Sequence, residues 1–194
     1  PLNESWGVPF ISVDRRQQEF SQTLYHLLKS FDSTRLVVGN DGWEMTETDL
    51  CAIHNYDHGE KNDEKAHAKF RESLSCREEL LYTYTAGRKI FVDGWKDRGQ
   101  PVLLTEFGGI SIAEQDDKAW GYTCIRDGAE LEKEYERILD AICASDSIAG
   151  FCYTQLADVE QETNGLLTCD RVPKIRTEII RKINDRVNKK RIRI

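Results

Sequence analysis

Short runs of apolar and β-branched residues recur along this chain, and each of them ends in polar or aromatic groups. The clearest run covers residues 101–104 and is followed by Thr105, Glu106 and the glycines Gly108 and Gly109. A run of this length, closed by glycine turn chemistry, is typical of a strand buried on both faces. Further strands are predicted at residues 36–39, 50–53 and 148–155, and the first few residues look like the end of another strand.

Other segments carry apolar residues at helical spacing and predict amphipathic helices. The first helix follows a possible capping box formed by Asp14 and Gln17; its apolar positions are Phe20, Leu24, Leu27, Leu28 and Phe31. The most regular pattern consists of Leu131, Tyr135, Ile138, Leu139 and Ile142. A last helix is predicted to start at Pro173, with Ile175, Ile179, Ile180, Ile183 and Val187 on its apolar face. A further helix is predicted over residues 77–92.

The predicted order is a strand stub, helix, strand, strand, helix, strand, helix, strand and helix. Polar stretches at residues 57–75 and 110–128 are predicted to be long loops. Strands that alternate with helices favour an α/β fold, in which a parallel sheet is covered by helices. The carboxyl ends of parallel strands lie at one rim, so the polar groups that end each strand are expected there together.

Length and composition limit the classes of protein to consider. With 194 residues and 39% hydrophobic content, the chain is sized for one domain with a real core. No apolar run approaches the roughly 20 residues that a bilayer requires, so no membrane association is expected. The net charge of −7 disfavours binding to nucleic acid. The basic tail at residues 188–193 is interpreted as the end of a helix, where positive charge complements the helix dipole.

The six cysteines show no C-x-x-C pair and no accompanying histidine cluster. This spacing excludes the common zinc ribbons and fingers. Cys51, Cys143 and Cys152 lie within apolar strand or helix patterns, where a free thiol packs as a small hydrophobe. We therefore expect reduced, structural cysteines, a cytoplasmic protein and no cofactor.

Two carboxylates are predicted at strand ends, Glu4 at the stub and Glu106 after the run at residues 101–104. They lie 102 positions apart, so only a closed or nearly closed sheet could bring them together. Strand-end carboxylates are where α/β barrels keep catalytic groups, and a pair of them is the usual machinery for cleaving a glycosidic bond. Taken alone, Glu106 could equally be a strand-end residue that forms a salt bridge with a loop.

Three segments resemble glycoside hydrolase family 2, the family of β-galactosidases, β-glucuronidases and β-mannosidases. They are residues 1–7 (Pro-Leu-Asn-Glu-Ser-Trp-Gly), residues 104–109 (Leu-Thr-Glu-Phe-Gly-Gly) and residues 150–166. They occur in the family's order and together span nearly the whole chain. The resemblance implies the C-terminal part of a (β/α)8 TIM barrel, from the end of strand 4 through helix 8, as a single incomplete domain at residues 1–194.

The resemblance also implies an activity and a set of roles. The activity is that of a retaining exo-β-glycosidase, with Glu4 as general acid/base and Glu106 as nucleophile. Asn3 is implied to bind the sugar 2-hydroxyl, and Tyr56 to donate a hydrogen bond to the nucleophile. His54, Trp43 and Tyr153 are implied to line the sugar-binding rim. The implied substrate is a small carbohydrate or glycoconjugate.

Two groups of residues could be mistaken for other chemistry. His54, Asp57 and His58 suggest a metal site, but they follow a strand and lack a third ligand motif, so no metal is expected. Asp158, Glu160 and Glu162 alternate along a loop and could be mistaken for calcium ligands. Their simpler interpretation is a solvated acidic loop.

The length of the chain departs from the family pattern. A complete barrel needs about 250 residues, and here four whole strands and a stub are predicted. Because nearly half of the barrel is missing, we expect a fragment of a longer enzyme or a piece that another chain completes; the start at Pro1 without a methionine agrees with a fragment. Its partners would be the missing N-terminal barrel strands and the β-sandwich domains of the parent chain. The alternatives are a non-catalytic carbohydrate-binding or scaffold module with the same fold, and an inverting hydrolase, whose carboxyl groups would lie farther apart.

Overall fold

The structure, a computed structural model, describes residues 1–112 and 121–191, with side chains as far as residue 186. The strands are β1 (Leu2–Asn3), β2 (Asn40–Asp41), β3 (Cys51–His54), β4 (Val102–Glu106), β5 (Ile110–Ile112), β6 (Thr123–Ile125) and β7 (Ile148–Phe151). The helices are α1 (Arg15–Phe31), α2 (Glu64–Ser73), α3 (Arg77–Tyr82), α4 (Gly128–Ala144) and α5 (Thr177–Arg191). The chain forms two units. One consists of Pro1–Asn55, Arg77–Glu106 and Ser147–Phe151, and the other of Tyr56–Cys76, Phe107–Asp146 and Cys152–Ile194.

The first unit is built on parallel strands. β1 pairs with β2, and β4 lies between β3 and β7 in a three-stranded sheet. A parallel bridge from Gly42 to Ile53 connects the end of β2 to β3, so five strands follow one another in the order β1, β2, β3, β4, β7. The predicted mixed α/β fold with parallel strands is confirmed. Closure of these strands into an eight-stranded barrel stays a prediction.

The pairing of β3 with β4 contains an irregularity at its carboxyl end. Ile53 lies opposite Leu104, whereas His54 lies opposite Glu106, so Thr105 is an extra residue on β4. An extra residue of this kind is a β-bulge, which bends the strand and turns the following side chains. The bulge therefore changes the direction of the side chains that end β4.

Helix α1 begins as predicted but buries a different face. Asp14 caps it by accepting a hydrogen bond from the Arg16 N–H at 2.9 Å. Gln17, however, accepts from the Phe10 N–H at 2.8 Å and so does not complete a capping box. The predicted apolar face is wrong as a core face, because most of its side chains are exposed, and Phe31 is 78% exposed.

The buried face of α1 is polar and hydrogen-bonded. Ser21 pairs with Thr46 at 2.9 Å, and the Tyr25 hydroxyl donates to Asp49 at 2.6 Å. Gln18 donates to the Ile11 carbonyl at 2.9 Å. Buried polar groups are tolerated when they are paired in this way. Hydrophobic periodicity could not identify this face, because the contacts that bury it are hydrogen bonds.

The second unit has its core on helix α4, as the sequence predicts. The five predicted apolar residues of α4 are all buried, namely Leu131, Tyr135, Ile138, Leu139 and Ile142. Asp127 caps the helix by accepting from the Glu130 N–H at 2.9 Å. Helix α5 packs on α4, where the Tyr135 hydroxyl donates to Asn184 at 2.8 Å and Ile183 is buried.

Several predicted boundaries are corrected by local hydrogen bonding. No strand forms at residues 36–39, because Val37 pairs with Asp49 instead; the strand is the polar pair Asn40–Asp41. The strand predicted over residues 148–155 ends at Phe151. The last helix begins at Thr177 instead of Pro173, since the preceding Lys174 N–H bonds to the Leu166 carbonyl.

One predicted helix is shorter than expected, and two predicted loops contain helices or strands. The predicted helix at residues 77–92 stops at Tyr82, because Ala86 and Gly87 adopt positive φ in the turn that follows. The predicted loop at residues 57–75 contains α2, capped by Asp63. The predicted loop at residues 110–128 contains β5 and β6, which pair in parallel, with residues 113–120 between them outside the described residues.

The remaining expectations concern cysteines, membranes and the tail. No disulfide joins the cysteines of the described chain; Cys51 is buried, but Cys152 is exposed, which corrects its predicted packing role. Within the described ranges, no helix combines the length and apolar character needed to cross a membrane. The basic tail at residues 188–193 has side chains that fall outside the described residues, as does the side chain of Val187.

Candidate active site

Glu4 stands in a strained turn immediately after strand β1. Glu4 and Ser5 have φ values of 50° and 59°, in the left-handed region that residues with a side chain seldom adopt. Hydrogen bonds maintain this conformation: the Glu4 N–H donates to the Asp41 carbonyl at 2.8 Å, and the Ser5 N–H donates to Asn40 Oδ1 at 3.1 Å. Backbone strain held in place by its surroundings is common at functional sites.

A buried polar network lies behind this turn. The Asn40 amide, which is fully buried, donates to Ser5 Oγ at 3.0 Å and to the Trp43 carbonyl at 2.8 Å. Ser5 Oγ in turn donates to Glu44 at 2.6 Å, and Arg88 neutralises Glu44 at 2.9 Å. Because these buried polar groups all have hydrogen-bond partners, the turn that carries Glu4 has a fixed position relative to strand β2.

His54 joins the two strand-end carboxylates. Its imidazole is fully buried, and its Nδ1 lies 2.8 Å from Glu4 Oε1 and 3.3 Å from Glu106 Oε2. Its Nε2 lies 3.2 Å from Asp41 Oδ1. The structure therefore brings together three of the predicted site residues, Glu4, His54 and Glu106, on the first unit.

Asp41 and Thr105 hold this histidine from the other side. The Thr105 hydroxyl donates to Asp41 Oδ1 at 2.6 Å, the same oxygen that faces His54 Nε2. Thr105 and Glu106 are neighbours on β4, yet their side chains both reach the group around His54. The bulge at Thr105 accounts for this, since regular alternation sends neighbouring side chains to opposite faces.

The contacts within this group shift the pKa values of both His54 and Asp41 toward their charged forms. Burial opposes protonation of His54, but the hydrogen bonds to Asp41 and Glu4 and the charge of Glu106 outweigh it, so the pKa of His54 is raised. Burial also opposes ionisation of Asp41, yet the hydrogen bonds from His54 and Thr105 hold the pKa of Asp41 below its usual range. As an imidazolium, His54 donates from Nδ1 to Glu4 and from Nε2 to Asp41.

Trp43 and Asn3 complete the predicted residues of the first unit. The Trp43 ring packs edge-on against the His54 ring, with centroids 5.8 Å apart. Its indole Nε1 is buried and has no hydrogen-bond partner among the described residues, an arrangement that native structures rarely leave unexplained. Asn3 is exposed at the end of β1, opposite Asp41 in the pairing of β1 with β2.

Tyr56 and Tyr153 belong to the second unit, and their roles are described within it. Tyr56 stacks on Tyr122 at 3.7 Å and donates from its hydroxyl to Thr154 Oγ1 at 3.0 Å. The Tyr153 hydroxyl donates to the Asn164 carbonyl and accepts from the Ile110 N–H, both at 3.3 Å. Burial raises the pKa of Tyr153. Their predicted contacts with the nucleophile and with a sugar stay predictions.

His58 and Asp158, possible metal ligands from the sequence, have structural roles in the second unit. Both ring nitrogens of His58 face backbone carbonyls, those of Gly59 and Gly108, at 3.0 and 2.8 Å. Asp158 is not simply solvated, because it accepts from Lys174 at 2.7 Å and from the Gly165 N–H at 2.8 Å. The expectation of a solvated acidic loop is therefore wrong for Asp158.

Sequence reasoning missed three residues that organise the site, Asp41, Thr105 and Asn40. A signal for Asp41 existed, since it belongs to the polar group that follows the predicted strand at residues 36–39. Thr105 was predicted only to follow the run at residues 101–104, and regular alternation would turn its side chain away from that of Glu106. The bulge that brings these two side chains together depends on pairing with β3, which a single strand sequence does not contain.

Comparisons with known proteins identify the fold. No protein-family model matches the chain, and no curated protein matches it. Among solved structures, it is similar to a β-glucuronidase of Faecalibacterium prausnitzii, with a TM-score of 0.58 and 18% identity over 93% of this chain and 30% of that one.

Two further solved structures give a consistent result. A Bifidobacterium dentium β-glucuronidase complexed with coumarin-3-O-glucuronide has a TM-score of 0.55 and 22% identity over 89% of this chain and 27% of that one. A family 2 β-galacturonidase of Eisenbergiella tayi, bound to galacturonate, has a TM-score of 0.51 and 14% identity over 92% of this chain and 31% of that one. At these identities the likeness shows the fold alone, a glycoside hydrolase fold. The chain spans about a third of the length of these structures.

Proposed function

We propose that this chain carries the catalytic pair of a retaining β-glycosidase, with Glu4 as acid/base and Glu106 as nucleophile. The supporting observation is that carboxylate oxygens of Glu4 and Glu106 and the Nδ1 of His54 all lie within 4.8 Å of one another. Carboxyl groups in retaining enzymes are about 5 to 5.5 Å apart, whereas inverting enzymes leave about 6.5 to 9.5 Å for a water molecule. An approach of 4.8 Å or less between carboxylate oxygens is compatible with double displacement, the mechanism that the family resemblance implies.

The reaction has two steps. Glu106 attacks the anomeric carbon and forms a glycosyl-enzyme ester, while Glu4 gives its proton to the departing glycosidic oxygen. Glu4 then removes a proton from water, which attacks the same carbon and releases Glu106 as a carboxylate. Over the cycle Glu4 loses and regains one proton, and Glu106 forms and breaks one covalent bond to the sugar. Each group therefore returns to its starting state.

His54 regulates the charge on this pair. Its Nδ1 lies closer to Glu4 than to Glu106, at 2.8 against 3.3 Å, so its proton is shared first with the acid/base. We infer that His54 orients the Glu4 carboxyl group, which regains its proton from water, and stabilises the ionised Glu106 through its charge. Asp41 keeps the imidazole oriented for this role, because it engages Nε2.

A sugar is the ligand that fits the remaining groups best. Trp43, whose ring packs against the His54 ring, is assigned to the sugar-binding rim. The exposed Asn3, next to Glu4, is assigned to the sugar 2-hydroxyl. Because the similar structures include β-glucuronidases and a β-galacturonidase, glucuronides and galacturonides belong in any substrate panel, beside neutral β-glycosides.

The proposed activity belongs to the whole protein that contains this chain. The chain covers only 30% of the F. prausnitzii structure, so the preceding barrel strands and the β-sandwich domains are proposed as the partners that complete the site. Size-exclusion chromatography of the 194-residue chain tests this. A monomer that unfolds cooperatively would count against the need for such partners.

Covalent trapping tests the chemistry directly. A 2-deoxy-2-fluoro glycoside with a good leaving group slows the second step, so the glycosyl-enzyme accumulates. We expect a mass increase of one fluoroglycosyl group on the peptide that contains Glu106, and none after Glu106→Gln. If the full-length protein binds sugars but is never labelled, the chain is a non-catalytic carbohydrate-binding module.

A further inference from the structure

We propose that Glu4, His54 and Glu106 also form a binding site for a divalent transition-metal ion of the zinc or cobalt type. Among the described residues these three offer one ligand atom each, and the three atoms lie within 4.8 Å of one another. One imidazole nitrogen and two carboxylate oxygens suit Zn²⁺, which commonly takes three protein ligands and keeps a fourth position for water.

Two of the three distances in the group are close to those that such an ion requires, and the third, between the two carboxylate oxygens, is at most 4.8 Å. In tetrahedral coordination with bonds of about 2.1 Å, ligand atoms lie about 3.4 Å apart. His54 Nδ1 is 3.3 Å from Glu106 Oε2, which fits without movement. Its separation from Glu4 Oε1 is 2.8 Å and has to widen by about half an ångström. Glu4 and Glu106 are partly exposed and can make this adjustment, whereas the buried imidazole stays in place.

The hydrogen bonds behind His54 support the same assignment independently. Histidines that bind metals usually donate the proton of their other ring nitrogen to a carboxylate, which fixes the tautomer and the ring orientation. Asp41 takes this position, with Oδ1 at 3.2 Å from Nε2, and the Thr105 hydroxyl fixes Asp41 at 2.6 Å. With its proton on Nε2, the imidazole presents the Nδ1 lone pair to the space between the two glutamates.

Metal occupancy and glycosidase turnover exclude each other at this site. A bound ion replaces the proton on Nδ1 and takes up one oxygen from each glutamate, which leaves neither an acid nor a nucleophile. Micromolar Zn²⁺ is therefore an inhibitor of the enzyme. This inhibition rests on the proposed function, but the binding itself does not, so binding is the property to measure.

Cobalt spectroscopy of the full chain tests the site. Co²⁺ alone is titrated into the chain after its accessible cysteines have been alkylated, because five of the six are not fully buried. We expect one Co²⁺ per chain, with visible d–d bands, no thiolate charge-transfer band, and displacement by Zn²⁺. Glu106→Gln and His54→Gln should abolish this signal, and Asp41→Asn should weaken binding about 10-fold or more.

A matched control and two contrary results make the test decisive. His26→Gln removes an exposed histidine on α1 and should leave Co²⁺ binding unchanged. Circular dichroism of each variant establishes that it is folded, and the isosteric Glu106→Gln keeps the test valid if His54→Gln unfolds. The proposal is wrong if the folded chain binds no Co²⁺ at millimolar concentration, or if Glu106→Gln binds it as tightly as the wild type.

Discussion

His54 Nδ1 lies 2.8 Å from Glu4 Oε1, although 50 residues separate the two in the chain. The contact joins the end of β3 to the turn after β1, and strand β2 between them supplies the supporting residues Asn40 and Asp41. The candidate site therefore depends on the parallel order of these strands.

Replacing either catalytic carboxylate should remove most activity without unfolding the protein. In the full-length protein we expect Glu4→Gln and Glu106→Gln to lower kcat/KM by about 10²-fold or more, the range typical for a lost acid/base or nucleophile. Activity on aryl β-glycosides and the thermal unfolding curve are the measurements. Near-normal turnover in Glu106→Gln would contradict the assignment.

Azide separates the two proposed roles. In Glu4→Ala, azide can attack the glycosyl-enzyme on the face that water normally uses, so a β-glycosyl azide is expected. In Glu106→Ala, azide takes the place of the missing nucleophile, so the product is the α-glycosyl azide. Product stereochemistry by NMR distinguishes these outcomes, and the opposite pattern would exchange the roles of Glu4 and Glu106.

The network behind Glu4 should contribute substantially to stability. Asn40→Ala removes two hydrogen bonds that Asn40 donates and one that it accepts, and it leaves the buried groups of Ser5 and Trp43 unpaired. We expect a loss of roughly 3 kcal/mol in the free energy of unfolding, measured by chemical denaturation. Thr23→Ala, which removes a bond within the exposed face of α1, is the control and should change it by less than about 0.5 kcal/mol.

Helices α1 and α4 carry similar apolar patterns but should respond differently to mutation. Phe31→Ser on α1 should change the free energy of unfolding by less than about 0.5 kcal/mol, because that side chain is largely exposed. Ile138→Ala on α4 should cost about 2 to 5 kcal/mol, because the side chain is fully buried. A large loss with Phe31→Ser would mean that another surface covers α1 in solution.

Gly108 and Gly87 form a second matched pair. Both have positive φ, at 91° and 72°, so alanine is strained at either position by about 1 to 2 kcal/mol. A Cβ on Gly108 would lie 2.3 Å from the Tyr153 ring, whereas a Cβ on Gly87 meets nothing within 4 Å. Gly108→Ala should therefore be clearly more destabilising than Gly87→Ala in denaturant titrations. Equal losses would show that Tyr153 does not pack there.

Tyr25 should make stability depend on pH in the alkaline range. Burial and the hydrogen bond to Asp49 raise the pKa of Tyr25 to about 12, from about 10 when unfolded. The folded state holds this proton more tightly, so its contribution is complete below pH 10 and is lost as the pH rises toward 12. The unfolding free energy of the wild type should fall more steeply over that range than that of Tyr25→Phe. Parallel curves would contradict the raised pKa.

The predictable parts of this fold are those in which the spacing of apolar residues matches the buried face of a helix or strand. The α4 residues from Leu131 to Ile142 recur at helical spacing and are buried as expected, and the run at residues 101–104 forms β4. Helix α1 was misjudged because its buried residues are polar and its apolar residues are exposed. Hydrophobicity measures transfer from water, and it does not reveal which face finds hydrogen-bond partners elsewhere in the chain.

The candidate site was predictable only in part, for a related reason. Glu4, His54 and Glu106 are recognisable because each follows a strand and bears ionisable chemistry. Asp41, Thr105 and Asn40 do their work through partners that come from other strands, and the positive φ of Glu4 depends on those partners too. Such pairing between strands that are distant in the sequence cannot be deduced from local sequence patterns.

The extra residue at Thr105 means that the direction of Glu106 depends on the number of residues in β4 as well as on their identity. A regular ladder would put Glu106 on the same side of the sheet as Leu104, which is buried. A regular pairing of β3 with β4 that kept Thr105 would thus turn Glu106 away from His54. The irregular pairing at Thr105 is therefore as necessary to the position of the carboxylate as the glutamate itself.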